Sequence, residues 1–155
     1  MEEFYKKILI PVDGSILADL AYQKAKRYAK STNAELVILS IVDTTVFSFQ
    51  GIDYAPEVSR MVDEAEQFVA DYAKDAEKEH LRYKTLTKVG TPKGTILDLV
   101  KDPNQKFDAI FMGASGTNSL TRLIIGSTTE FVVRFAPVDV LVVRTHMDNH
   151  TRPTH

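Results

Sequence analysis

The sequence contains no cysteine and no tryptophan in its 155 residues. Without cysteine, the chain forms no disulfide bond, uses no thiol nucleophile and builds no zinc site from thiolates. It also lacks an excess of either charge, since 19 basic residues stand against 21 acidic ones and the formal net charge is −2. A balanced charge gives no support for nucleic-acid binding, so no nucleic-acid partner is expected.

The sequence also lacks a hydrophobic run long enough to span a bilayer, and the first apolar run, residues 8–12, is too short for a signal peptide. These absences favour a cytoplasmic protein with no membrane partner. The chain length and the 44% share of hydrophobic residues are typical of one folded domain. We expect that domain to cover residues 1–145, and the polar residues 146–155 to form a mobile tail.

Five short apolar runs, rich in β-branched residues, predict five β-strands. They cover residues 8–12, 35–42, 84–89, 108–113 and 138–143. Four runs are nearly continuous, as expected of strands covered on both faces, whereas the third alternates and is expected nearer the sheet edge. Helical patterns at 16–29, at about 57–78, after Thr91 and after Gly126 separate the strands. This alternation predicts an α/β fold with a parallel sheet and helices on both faces.

One helix face and one helix start are predicted in more detail. Spacings of three and four residues place five residues on one face of the first helix: Leu17, Leu20, Ala21, Lys24 and Tyr28. Ser127 and Glu130 have the spacing of a capping box, which predicts that the Ser127 side chain caps the last helix.

Three glycines and a serine recur at fixed spacing in the stretch MGASGTNSLTRLIIGST: Gly113, Gly116, Gly126 and Ser127. A glycine turn can adopt positive φ and bring backbone N–H groups close to an anion, and the first N–H groups of a helix attract phosphate. Two such turns separated by a long loop suit a polyphosphate or a nucleotide. Each residue alone also has a structural explanation, such as a strand end at Gly113. No Gly-Lys-Ser, Gly-Lys-Thr or G-x-G-x-x-G occurs, so the identity of the anion stays open at this point.

Three stretches together resemble the universal stress protein (UspA-like) family, over residues 6–144. They are ILIPVDGS near the N-terminus, VGTPKGTIL in the middle and GASGTNSLTRLIIGSTTEFVVRFAPVDVLVVR near the end. The last stretch contains the motif G-x2-G-x9-G-[ST], which is typical of the branch of this family that binds ATP. The resemblance implies a Rossmann-like fold of the adenine nucleotide alpha hydrolase-like type, with five parallel strands in the order 3-2-1-4-5. It also implies a homodimer in which the last strand, Val138 to Val143, pairs antiparallel with its copy.

The resemblance further implies a nucleotide site in which no residue is catalytic and none is a metal ligand. The adenosine side would be lined by Pro11, Val12, Asp13 and Ile41, the ribose would lie near Met112 and Gly113, and Ser115, Gly116, Gly126, Ser127 and Thr128 would hold phosphates. The implied ligand is ATP, with ADP or AMP as alternatives, and with Mg²⁺ held mainly by the phosphates.

These features favour a dimeric, ATP-binding regulatory protein of the stress response that acts on an unidentified protein partner. Two alternatives stay open: a slow or partner-stimulated ATPase or phosphotransferase, and a dimeric scaffold that binds no nucleotide. The chain departs from the family pattern at Ala114 and Ser115, where members often carry Ser followed by His or Arg. A cationic or imidazole group for phosphate is therefore missing there, and Arg122 is either its replacement or a solvated charge.

Overall fold

The structure is a computed structural model that describes residues 3–47, 53–115 and 125–144. The predicted tail, residues 146–155, lies outside these ranges. The described strands are β1 (Lys7–Pro11), β2 (Glu35–Asp43), β3 (Arg82–Gly90), β4 (Ala109–Gly113) and β5 (Asp139–Val143). The described α-helices are α1 (Ile16–Thr32), α2 (Ala55–Lys78), α3 (Pro92–Lys101) and α4 (Ser127–Phe135), and a 3-10 turn, Thr44–Phe47, follows β2. None of the described helices is both long and apolar enough to cross a membrane.

The five strands form one parallel sheet in the order β3-β2-β1-β4-β5, which confirms the predicted order. The alternating strand β3 lies at one edge, as predicted, and β5 lies at the other. The order reverses beside β1, because the chain first adds β2 and β3 on one side and later β4 and β5 on the other. In such sheets a crevice opens at this reversal, outside the carboxyl ends of the strands.

The core has two layers, one on each face of the sheet. Along β1, Ile8 and Ile10 face the layer that includes Tyr22 of α1, whereas Leu9 faces the layer that includes Ile96 of α3. All of these side chains are buried. Because both faces are covered, the central strands are apolar at nearly every position, which explains their continuous hydrophobic runs.

Helix α1 begins where predicted but ends later, and its buried face is shifted from the predicted one. The Ser15 hydroxyl oxygen accepts a hydrogen bond from the Ala18 N–H at 3.2 Å, and the helix ends at Asn33 in the left-handed conformation, φ 58°. Of the predicted face, Ala21 is buried and Tyr28 packs against the core, whereas Leu17, Leu20 and Lys24 are only half-buried. The buried residues of the helix are Ala18, Ala21, Tyr22, Ala25 and Ala29. Four of these five are alanines, so the helix backbone can lie close to the sheet.

The close approach of α1 to the sheet occurs at Gly113, the last residue of β4. A Cβ atom added there would lie 2.8 Å from the carbonyl carbon of Leu17 and 2.9 Å from the nitrogen of Ala18. Those are backbone atoms, which no side-chain rotation can move away. The positive φ considered for Gly113 is not observed, since the described glycines with positive φ are Gly14 and Gly90. Gly113 is therefore required for helix packing rather than for its backbone conformation.

Polar side chains join α1 to α2 on the outer part of the same layer. The Lys26 ammonium lies 2.8 Å from an Asp75 carboxylate oxygen, and the Tyr22 hydroxyl donates to the same oxygen at 2.7 Å. The hydrogen bond from Lys26 holds the pKa of Asp75 below its usual value. Burial, reinforced by the bond to Asp75, raises the pKa of the Tyr22 phenol. These contacts fix the position of α1, from which the floor of the crevice is built.

We expect Gly113→Ala to lower the free energy of unfolding by about 1–3 kcal/mol, because overpacking must push α1 away from β4. Urea unfolding measures this change. Gly126→Ala is the matched control: its added Cβ meets its nearest neighbour, the Ser115 Cα, at 3.2 Å, and its φ of −63° suits any residue. Equal losses of stability in the two variants would contradict the packing role of Gly113.

Candidate functional site

A cavity of about 520 Å³ lies at the carboxyl ends of β1, β2 and β4 and is bounded by the starts of α3 and α4. It brings together ten of the eleven residues predicted from the family resemblance: Pro11, Val12, Asp13, Ile41, Met112, Gly113, Ser115, Gly126, Ser127 and Thr128. Gly116 and Arg122 lie outside the described residues. The cavity shows that the ten residues share one site, and their binding of a nucleotide stays a prediction.

Seven further residues line the cavity and were not predicted as site residues: Ser15, Ala18, Leu39, Asp43, Pro92, Ile96 and Thr129. Two of them, Pro92 and Ile96, lie one turn apart at the start of α3 and close the side of the cavity opposite α1. The sequence could have predicted these two residues, because every helix that follows a parallel strand begins at the carboxyl ends of the strands, where the other candidate segments lie. That signal requires the strand order, which composition and spacing alone do not supply.

The turn between β1 and α1 is held by the side chain of Asp13. Its Oδ1 accepts a hydrogen bond from the Ser15 N–H at 3.0 Å, and Ser15 in turn caps α1 through Ala18. Asp13 is thus a strand-end carboxylate bonded to the turn that leads into the next helix. The second carboxylate oxygen, Oδ2, is not used in that bond, so Asp13 can fix the turn and still present an acceptor to the cavity.

A second carboxylate residue, Asp43, is the last residue of β2. Its Oδ1 accepts from both the N–H of Thr45, at 2.9 Å, and the hydroxyl of Thr45, at 2.6 Å. These bonds start the 3-10 turn that follows β2. The rings of Phe47 and Tyr54 lie 4.9 Å apart, so these two aromatic side chains of the long segment pack on each other. Ile41 precedes this turn and is half-buried in the cavity wall.

The start of α4 is attached to the end of β4 by two hydrogen bonds. The N–H of Gly126 donates to the carbonyl of Ala114 at 2.8 Å. The hydroxyl of Thr129, which is buried, donates to the carbonyl of Gly113 at 2.8 Å. A third bond, from the Ala114 N–H to the Val143 carbonyl at 2.9 Å, joins the same segment to β5. The first turn of α4 is thereby held at the cavity.

The capping box predicted at this helix is wrong. Helix α4 begins at Ser127, with Gly126 as its N-cap and no hydrogen bond from a capping side chain. Glu130 instead pairs with Arg134, at 3.0 Å, one turn further along the helix. The reason is the extended backbone of Gly126, φ −63° and ψ 153°, which places its carbonyl as acceptor for the Glu130 N–H. The N-cap residue therefore offers no side-chain cap to the first N–H groups of α4, and this helix start lines the cavity with the positive end of the helix dipole.

The described lining of the cavity is apolar at one end and polar at the other. Pro11, Val12, Leu39, Ile41 and Met112 supply the apolar wall at the strand ends. The polar part combines the α4 start with the hydroxyls of Ser127 and Thr128. Among the described lining residues the charged side chains are Asp13 and Asp43, and none is cationic. Chemically, the cavity suits a flat apolar group at one end and an anion at the other.

Residues 4–144 match a family model described as the universal stress protein family. The chain belongs to the universal stress protein family. A relative named as a universal stress protein in Staphylococcus epidermidis is 37% identical over 143 residues, covering 91% of this chain and 85% of the relative. The resemblance expected from the sequence is thus confirmed for nearly the whole chain.

Solved structures of universal stress proteins share the fold. The universal stress protein UspA from Lactobacillus plantarum superposes with a TM-score of 0.78 at 33% identity, covering 92% of this chain and all of that one. A second, a universal stress protein in complex with cAMP, gives a TM-score of 0.59 at 25% identity and covers 90% of this chain and 97% of that one. These similarities confirm the Rossmann-type fold.

Thr129→Val removes the hydroxyl that joins α4 to β4 while nearly preserving side-chain volume. We expect the free energy of unfolding to fall by about 1–2 kcal/mol, because a buried hydrogen bond is lost. Chemical denaturation provides the measurement. In the adjacent control, Thr128→Val, the replaced hydroxyl makes no hydrogen bond within the described residues, so a change below about 0.5 kcal/mol is expected. If the two variants were equally stable, the bond between Thr129 and Gly113 would not hold the helix in place.

Proposed function

We propose that the protein is a dimeric regulatory protein that binds ATP in the cavity at the carboxyl ends of β1, β2 and β4. The observation that carries this proposal is the first turn of α4, whose N-cap Gly126 has no capping side chain and which opens into the same cavity as the apolar strand ends. One cavity therefore offers a place for a base and a place for phosphate. The cytoplasmic location expected from the sequence stays a prediction.

The apolar end of the cavity supports adenine binding. One wall of the cavity is formed by Leu39 and Ile41 of β2 and Pro11 of β1. The other wall includes Met112 of β4, the strand on the other side of β1. A volume of about 520 Å³ lies within the range of small-molecule sites. The free carboxylate oxygen of Asp13 is an acceptor suited to a ribose hydroxyl. The solved relative in complex with cAMP supports an adenine nucleotide as the class of ligand.

The polar end of the cavity supports phosphate binding. The N–H groups at the start of α4 and the hydroxyls of Ser127 and Thr128 are all donors, and the helix dipole adds a partial positive charge. A Cβ atom added at Gly126 would lie 3.2 Å from the Cα of Ser115. A larger side chain at position 126 would therefore push the two phosphate-facing turns apart.

A Mg²⁺ ion would be held mainly by the phosphates of the ligand. The described residues contain no group of three or more His, Cys, Asp or Glu side chains that could hold a metal ion. Asp13 and Asp43 are the carboxylates that line the cavity and could add one or two oxygen ligands. This donor set fits Mg²⁺, which usually keeps several waters and is shared between carboxylates and phosphates. The metal would supply charge neutralisation for a polyphosphate.

The two edges of the sheet differ in a way that supports a dimer through β5. Edge strand β3 carries Arg82, Lys84 and Lys88, and basic side chains on an edge discourage pairing with another strand. Strand β5, DVLVV, carries no basic residue, and its central Leu141 is 36% exposed. Exposed apolar side chains, Val133 and Phe135, also lie on α4, the helix that precedes this strand. We infer that β5 pairs antiparallel with its copy.

Isothermal titration of the purified protein with ATP and Mg²⁺ tests the proposed ligand. We expect saturable binding below millimolar ATP, and at least a tenfold loss of affinity in Gly126→Val, because the new methyl groups separate the two turns. Ile125→Ala is the matched control, since Ile125 is the neighbouring residue, is 40% exposed and does not line the cavity. Absence of binding at millimolar ATP, or normal binding by Gly126→Val with an intact fold, would refute the site.

Leu141→Lys tests the dimer. In an antiparallel pair centred on β5, the two lysines would lie close together and repel each other, so we expect a monomer by size-exclusion chromatography with light scattering. Val89→Lys is the control, because Val89 is 49% exposed on the opposite edge strand and should leave the dimer intact. A monomeric native protein, or dissociation by Val89→Lys alone, would show that β5 is not the interface.

A further inference from the structure

We propose that Lys93 of α3 is a specificity-determining residue that distinguishes nucleotides by their number of phosphates. The inference rests on the proposed function, since it assigns a role within the same cavity. Its starting point is the absence of a cation among the described lining residues, although an ATP molecule carries several negative charges. Lys93 is the neighbour in sequence of Pro92, which lines the cavity, and it extends from the first turn of α3.

The side chain of Lys93 lies against α4. Its ammonium group stands 5.5 Å from the centre of the Phe131 ring, in a cation–π contact. Lys93 and Leu97 are one turn apart and share the helix face that packs on the α3–α4 layer of the core. No carboxylate forms an ion pair with Lys93 in the part of the chain that the structure describes. Its charge is therefore not neutralised by a neighbouring acid there.

The position of Phe131 brings this ammonium close to the start of α4. Phe131 lies four residues after Ser127, which is slightly more than one turn, or roughly 6 Å along the helix axis. Side chains on a helix point back toward its N-terminus, so the Phe131 ring covers the turn that begins with Ser127. An ammonium group above this ring needs only a change of rotamer, within the flexible four-carbon stem of lysine, to reach phosphate at the helix start.

Without a nucleotide, the Lys93 ammonium stays over the Phe131 ring. A cation–π contact at a partly exposed site is weaker than a charge-assisted hydrogen bond to phosphate, so the ammonium leaves the ring when an outer phosphate is present. A nucleotide with a single phosphate is held by the α4 start and gains little from Lys93. Nucleotides with two or three phosphates gain the additional contact. Lys93 thereby compensates for the cation that the chain lacks at Ser115.

Titrations of AMP, ADP and ATP into the full-length protein, at one salt and one Mg²⁺ concentration, test this role. We expect Lys93→Met to weaken ATP binding about tenfold and AMP binding less than twofold, in line with loss of one charged hydrogen bond. Lys93→Arg keeps the charge and should keep most of the preference for ATP. The ATP-to-AMP affinity ratio of the native protein should also fall as salt is raised.

Lys101→Met is the matched control, because it removes the same charge from the last turn of the same helix, eight residues away. It should leave all three affinities unchanged. Equal weakening of AMP and ATP by Lys93→Met, or no weakening, would overturn the role of Lys93 while leaving the proposed nucleotide site in place. If the native protein bound none of the three nucleotides, the proposed function and this inference would both be refuted.

Discussion

The attachment of α4 to β4 is the interaction on which the candidate site depends. The chain leaves the sheet at Ala114 and returns at Gly126, and a main-chain hydrogen bond joins these two residues directly. The Thr129 hydroxyl adds a hydrogen bond to the carbonyl of Gly113, the residue before Ala114. Together these bonds keep the N–H donors at the start of α4 beside the strand ends.

Much of the fold followed from local patterns in the sequence. The continuous runs of β1, β2, β4 and β5 and the alternating run of β3 predicted five strands and placed β3 at an edge. The expectation that β5 is covered on both faces is wrong, because β5 lies at the other edge and exposes Asp139 and Leu141. The family resemblance then supplied the strand order. With that order, the strand-end residues from Pro11 to Thr128 had to meet at one sheet edge, and ten predicted positions line one cavity.

The errors arose where a residue's role depends on a distant part of the chain. The buried face of α1 is set by its alanines, and alanines are favoured there because Gly113, far along the chain, lets the helix approach β4. Hydrophobicity alone favoured Leu17 and Leu20 instead. Likewise, Ser127 and Glu130 have the spacing of a capping box, but Gly126 adopts the N-cap conformation and shifts the helix start by one residue. Neither effect is visible in a local pattern.

The basic residues of β3 have a consequence for the size of any assembly. If two copies join through β5, the combined sheet has a β3 strand at each of its outer ends. Both ends then carry Arg82, Lys84 and Lys88, of which Arg82 and Lys84 pair with Glu35 of β2. A further copy approaching either end would meet these basic side chains, which discourage strand pairing. A two-fold contact occupies the edge of each copy that carries no basic residue. Growth of the sheet therefore stops at two chains, and an open fibre is disfavoured.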